Sequence, residues 1–232
     1  IVAIYAAFQI LYAGRIFPGV QVGGVDVGGL TPASAAARVT QEFSYPQSGK
    51  ILLQDGGQSW LVSPGQLGLY LDPETSALNA YRVGRSGGMF RRLRNQYSAY
   101  AAGEQLPPAL IFDQRVTYLV LEGLGKQIDK PVVEATLQVQ GMDVLVQAGQ
   151  TGRELDLAAS LALVSAQVQT LQDGIVPLVV RETPPAILDA SAQAEVARKI
   201  LSAPLTIGVP EGETGGPWTI EPDRLAGMLT FQ

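Results

Sequence analysis

Apolar and polar positions alternate along this chain in short bursts, and the period of each burst assigns an element. Residues 1–14 (IVAIYAAFQILYAG) are apolar on every side and carry no charge until Arg15. At about 1.5 Å per residue such a helix covers roughly 21 Å, two-thirds of the ~30 Å hydrocarbon layer. The run is therefore expected to be the end of a transmembrane helix, with Tyr12 and Arg15 at the interface. Val20-Gln21-Val22 and Val25-Asp26-Val27, broken by Gly23-Gly24, predict a tightly turned strand pair. Thr31-Pro32 then opens a helix with Ala36, Val39 and Phe43 on one face. Residues 50–54 and 59–62 alternate across Asp55-Gly56-Gly57, a hairpin signal. Ser63-Pro64-Gly65-Gln66 has capping-box spacing and predicts a short helix. Residues 69–71 read as a brief strand, and Asp72-Pro73-Glu74 caps a helix reaching about Arg82. Further on, the pattern predicts a helix over 114–127 capped by Asp113, a hairpin over 135–140 and 142–148, and a continuous apolar strand over 175–182 that Thr183-Pro184-Pro185 stops.

Two patterns recur. Trp60-x3-Pro64-x2-Leu67-x3-Leu71 reappears as Trp218-x3-Pro222-x2-Leu225-x3-Leu229, each copy preceded by an Ala-rich helix (33–43 and 191–201). Separately, Gly68-x2-Leu71-Asp72 with its helix matches Gly152-x2-Leu155-Asp156 and a helix over 157–171. Recurrence at such spacing points to a duplicated supersecondary unit. The expected fold class is α+β: two related modules of short antiparallel strands and capped helices, over 18–125 and 126–232, preceded over 1–17 by the end of the transmembrane helix. The chain opens on Ile1, and the second Trp-Pro-Leu unit stops at Gln232 before a helix matching 73–82, so it is expected to be a piece of a longer product.

The stretch Phe17-Pro18-Gly19-Val20-x-Val22-Gly23-Gly24-Val25-Asp26-Val27-Gly28-Gly29-Leu30-Thr31-Pro32 resembles the opening of VanW-like proteins and of membrane-anchored L,D-transpeptidases. Gly152-Arg153-x-Leu155-Asp156 and Val179-Val180-x-Glu182-Thr183-x-Pro185 are similar to the same family. The resemblance covers about 17–231. It implies tandem domains of peptidoglycan-binding type on the extracytoplasmic side of the plasma membrane, joined to it by a single pass. The transpeptidase nucleophile of that family is a Cys with a nearby His, neither of which this sequence has, so a catalytic domain of that kind would lie beyond Gln232.

Composition narrows the chemistry. With no Cys and no His, disulfides and thiol–imidazole nucleophiles are excluded, and transition-metal centres lose their usual ligands. No cofactor is expected, and the region is read as non-catalytic. The net charge of −5 divides unevenly: nine basic and eight acidic residues up to Gly125, then seven against thirteen. An acidic chain without a basic stripe is a poor nucleic-acid binder. The densest charge feature is Arg82, Arg85, Arg91, Arg92 and Arg94, with no acid among them. These guanidinium forks are candidate contacts for the carboxylates or phosphates of a wall polymer, set against a solvated face as the plainer reading. Ile1, Val2, Ile4, Tyr5, Phe8, Ile10, Leu11 and Tyr12 are the candidate membrane anchor. Trp60 and Trp218 are read as repeated core anchors, and Asp72 and Asp156 as helix caps, not as a hydrolytic pair. The expected partners are peptidoglycan or another wall polymer, membrane lipid, and membrane-protein partners. A purely structural role, as spacer or docking subunit, stands as the alternative.

Overall fold

The computed structural model describes residues 8–208 and 216–229. Expected anchor residues Ile1, Val2, Ile4 and Tyr5 lie outside this range. The fold is mixed α+β, with eight helices and small sheets among the described residues. Most strand pairs are antiparallel; two are parallel. The chain forms two compact units that it enters twice each: everything up to Gly123 with Leu157–Val179, and Leu124–Asp156 with Val180 onward.

In the first unit, β1 (Val20–Val22) and β2 (Val25–Asp26) form a hairpin whose two loop residues, Gly23 and Gly24, both have positive φ (57° and 85°). That is the backbone a two-residue primed turn demands, and glycine adopts it without a Cβ clash. α1 (Pro32–Glu42) begins as expected: Thr31 accepts the Ser34 N–H, and Pro32 opens the helix. After the single turn α2 (Tyr45–Ser48) come β3 (Ile51–Asp55) and β4 (Gln58–Val62), paired across Gly56-Gly57. The Ser63–Gln66 capping box forms reciprocally, at 2.8 and 3.3 Å, but it closes a turn and not the expected helix. β5 (Leu69–Leu71), α3 (Pro73–Arg82), α4 (Met89–Ala102), β6 (Glu104–Leu106), β7 (Leu110–Phe112) and α5 (Gln114–Ile128) follow.

The core of this unit is Ile16, Phe17, Val20, Val22, Val25 and Val27 packed on Ala35 and Val39 of α1 and Ala77 and Ala80 of α3. The Phe17–Pro32 motif is thus a core-forming segment. A second anchor is Leu67, fully buried, whose carbonyl accepts the hydroxyl of the equally buried Thr117 in α5.

Residues 8–11 are helical. Phe8 and Tyr12 are partly buried against this core, Phe8 stacking on Phe17 at 5.4 Å between centroids, while Ile10 and Leu11 are exposed. No helix among the described residues is long and apolar enough to cross a membrane.

The hairpin of β8 (Thr136–Gln140) and β9 (Asp143–Gln147) forms in the second unit, followed by β10 (Gly152–Leu155). α6 (Leu157–Gln169) returns to the first unit. The single strand expected over 175–182 is two strands. β11 (Gly174–Pro177) runs parallel to β3 in the first unit, and β12 (Val180–Thr183) runs antiparallel to β10 in the second. Between them Leu178 donates to the Gln54 carbonyl and Val179 to the Ser160 hydroxyl, so the backbone is handed from one sheet to the other. α7 (Ser191–Leu201) packs Ala194, Ala197 and Leu201 on Val144 and on Leu225 of α8 (Pro222–Ala226). β13 (Leu205–Ile207) pairs with β14 (Trp218–Ile220).

Each copy of the Trp-Pro-Leu pattern places its Leu in the interior: Leu67 and Leu225 are both buried. The tryptophans do not share that fate. Trp60 is half-buried and Trp218 is 57% exposed, which corrects the reading of both as core anchors. A strand side chain faces one side of its sheet, and β14 belongs to a two-stranded ribbon too small to cover it.

Leu67→Ala should cost about 2–5 kcal/mol, since the site is closed on all sides and relaxes little; equilibrium urea unfolding measures it. In the second unit, the Glu134 carboxylate accepts the N–H groups of Ala186 (3.0 Å) and Ile187 (2.8 Å). These bonds hold its pKa below the ordinary 4.5. A depressed carboxylate stabilises the fold above its unfolded pKa, and the contribution fades as pH falls through the folded value. Glu134→Gln should therefore speed amide exchange at Ala186 and Ile187 at neutral pH. The gap between variant and wild type should close in acid, below about pH 4.5.

Candidate functional site

The five arginines come to three different places. Arg85 is drawn into the structure. Its guanidinium donates to the carbonyls of Tyr81 (2.6 Å), Tyr12 (2.9 Å) and Arg15, and lies 4.1 Å from the Phe17 ring centre and 4.0 Å from that of Tyr81. Burial lowers its pKa, with the neighbouring Tyr81 opposing the shift. It joins the end of the N-terminal helical segment to α3, with three of its N–H donors given to backbone carbonyls. Arg91, Arg92 and Arg94 are exposed on α4, Arg92 donating to the Gly87 carbonyl at 2.8 Å.

Arg82 lines a groove. The end of α3, the turn after it and one face of α4 enclose about 290 Å³ between Asn79, Arg82, Val83, Gly84, Ser86, Asn95, Ser98 and Glu104. Gly84 shapes the bend: its φ is +68°, and a Cβ there would stand 2.7 Å from Gln96 Cγ and 3.2 Å from the Phe17 ring. Asn79 and Arg82 lie three residues apart, as do Asn95 and Ser98, so each pair faces the groove from adjacent turns of its helix. The lining offers two amides, two hydroxyls, one guanidinium and one carboxylate over a single aliphatic side chain. Such a surface hydrogen-bonds a hydroxyl- and amide-rich ligand and pairs with either sign of charge.

Arg82 is the one groove residue singled out by sequence. Asn95 and Ser98 were not singled out because α4 was not expected; Asn79, on the expected α3, and Glu104, at the start of β6, have no local signal of their own. The signal for α4 was present: Phe90, Leu93, Tyr97 and Tyr100 recur at helical spacing.

A matching groove sits on α6. Positions 79, 82, 83 and 86, moved on by the 84 residues that separate Asp72 from Asp156, become Leu163, Ala166, Gln167 and Thr170. These four line a cavity of about 250 Å³ with Ala-free strand residues Ile175, Val176 and Pro177. The helix leading to each groove is held alike. Ser76 of α3 accepts the Ala109 N–H (2.8 Å), just ahead of β7, and Ser160 of α6 accepts the Val179 N–H (3.0 Å), just ahead of β12. Both serines are buried four residues after the aspartates. The groove on α3 is closed by α4 and the one on α6 by β11, and the first has the more polar lining.

Asp72 and Asp156 each have a structural partner. Asp72 accepts the Thr75 N–H at the start of α3 (3.0 Å), which lowers its pKa, and belongs to the first unit. Asp156 belongs to the second and pairs with Arg181 at 2.6 Å.

Removing the Arg85 side chain leaves carbonyls short of donors and two rings uncovered. Arg85→Ala should cost about 2 kcal/mol in thermal unfolding. Arg85→Lys should recover only part, because an ammonium lacks the planar face that lies on Phe17 and Tyr81.

No curated protein and no solved structure matches the chain. The family model described as "Putative peptidoglycan binding domain" matches residues 60–176, just over half of the chain, and that segment holds every residue lining the polar groove. On that match, the chain belongs to the peptidoglycan-binding domain family.

Proposed function

We propose that this chain binds peptidoglycan without transforming it, and that the groove around Arg82 is where the polymer sits. The observation that carries this reading is the polar lining of this groove: Asn79, Arg82, Ser86, Asn95, Ser98 and Glu104 surround one aliphatic side chain, Val83. The groove on α6, lined by Leu163, Ala166, Gln167, Thr170, Ile175, Val176 and Pro177, is more apolar. Polar side chains gathered around one concavity suit a polar ligand. Peptidoglycan offers sugar hydroxyls, N-acetyl amides, and stem-peptide carboxylates and amines. Amide and hydroxyl side chains suit the first two, Arg82 a carboxylate and Glu104 an amine. A groove this open and small gives weak binding, which repetition along the polymer strengthens through effective concentration.

The wider setting we propose is a membrane-attached, extracytoplasmic protein of VanW-like or L,D-transpeptidase-type architecture. The Phe17–Pro32 motif and the uncharged run ahead of Arg15 support it. The shared Leu-Asp-x3-Ser pattern and its serine-to-strand hydrogen bond support duplication of an ancestral helix-and-strand unit.

Retention of the purified chain on wall sacculi tests the groove. Arg82→Ala combined with Asn95→Ala should lower retention about tenfold or more, as expected for losing a charge-assisted and a neutral hydrogen bond. Replacing Arg91, Arg92 and Arg94 with Gln should leave retention unchanged. Equal retention of the groove variant and the wild type would refute the assignment.

A further inference from the structure

α4 carries a second surface that the groove does not use. Phe90, Leu93, Tyr97 and Tyr100 form one stripe along it, with Phe90 85%, Tyr97 72% and Tyr100 70% exposed. The stripe runs about 15 Å. Its opposite flank is anchored, Gln96 and Ala99 being buried. Large exposed apolar groups aligned on one helix face mark an interaction surface.

The polar setting of the stripe identifies the occupant. From Thr75 to Gly103 the chain has five arginines and no acid. Arg91, Arg92 and Arg94 stand exposed on the same helix as the stripe, and among the described residues none of the three is ion-paired. A sugar-stacking platform would set free hydrogen-bonding groups beside its rings. Here the nearest amide, Gln96, already donates to the Gly84 carbonyl (2.8 Å) and accepts from Gln9 (2.9 Å). The stripe is also continuous with the uncharged N-terminal segment, since Phe8 closes a cavity of about 380 Å³ with Leu93, Gln96, Tyr97 and Tyr100.

We propose that α4 is an interfacial helix that lies on an anionic lipid surface. Phe90, Leu93, Tyr97 and Tyr100 would enter the headgroup–acyl boundary, and Arg94, nearest the stripe around the helix, would face lipid phosphates, with Arg91 and Arg92 adding attraction from farther off. Aromatic side chains favour that boundary, and arginines keep their heads at the phosphate level while their stems cover apolar area. The inference rests on the membrane attachment proposed above for where the surface lies, and on nothing in the groove.

The chain has no Cys, so a single introduced thiol labels one site. The chain carrying Tyr97→Cys with an environment-sensitive fluorophore is mixed with vesicles of phosphatidylcholine, with or without phosphatidylglycerol. The label should shift to the blue with the anionic vesicles and much less with the neutral ones. The same label at Ala102→Cys, on the other side of α4, should stay unshifted. Changing Arg91, Arg92 and Arg94 to Gln should lower anionic-vesicle partition about fivefold or more, about 1 kcal/mol for the one charge beside the stripe. If the chain sediments with vesicles while the Tyr97→Cys label keeps its aqueous emission, attachment runs through the N-terminal segment alone and the α4 proposal is wrong. It is equally wrong if that label responds to sacculi and not to vesicles. Loss of sacculus binding with an intact lipid response would instead remove only the groove.

Discussion

A guanidinium drawn partly out of water needs acceptors, and Arg85 finds them in three backbone carbonyls from two separate stretches of chain. No carboxylate takes part. The charge is balanced by carbonyl dipoles and by the faces of Phe17 and Tyr81, an arrangement a lysine could not reproduce. Because Phe17 is also at the centre of the first unit's core, this contact ties the end of the N-terminal segment, the end of α3 and the interior together. The bend at Gly84 follows immediately, and with it the angle between α3 and α4 that opens the groove. Both proposed surfaces depend on that angle, one lying inside it and the other on the outer side of α4.

A second constraint is the buried serine that ends each helix-to-strand return. Ser76 and Ser160 each give a strand-leading N–H a partner inside the protein, at a point where the ladder has not yet begun. Buried N–H groups without partners are costly, so the hydroxyl fixes where the returning chain lies against its helix. Each of these two helices also lines a groove, the one on α3 more polar than the one on α6. The family match spans Asn79, Arg82, Asn95 and Ser98.

Five arginines within thirteen residues looked like one anion-binding cluster, yet helix geometry separates them. Arg82 ends α3 and faces the groove; Arg85 follows the Gly84 bend and turns inward; Arg91, Arg92 and Arg94 occupy successive sides of α4. Residues adjacent in sequence diverge by about 100° per step around a helix, so a charge run does not make a charge patch.

What the sequence determined by itself are the features whose partners lie within a few residues. Thr31 caps α1, Asp72 caps α3, Ser63 and Gln66 exchange bonds, and Gly23-Gly24 and Gly56-Gly57 turn their hairpins, because each needs only a local hydrogen bond or a positive φ. Tertiary structure decided the rest. The apolar run after Asp173 gave no sign that it splits between two sheets, since its composition suits either and only the positions of Gln54 and Ser160 part it. Likewise, Trp218 matches Trp60 in pattern but not in burial, and Arg85 matches its neighbours in charge but not in role. Burial depends on what the rest of the chain brings alongside a residue, and the local pattern contains no record of that.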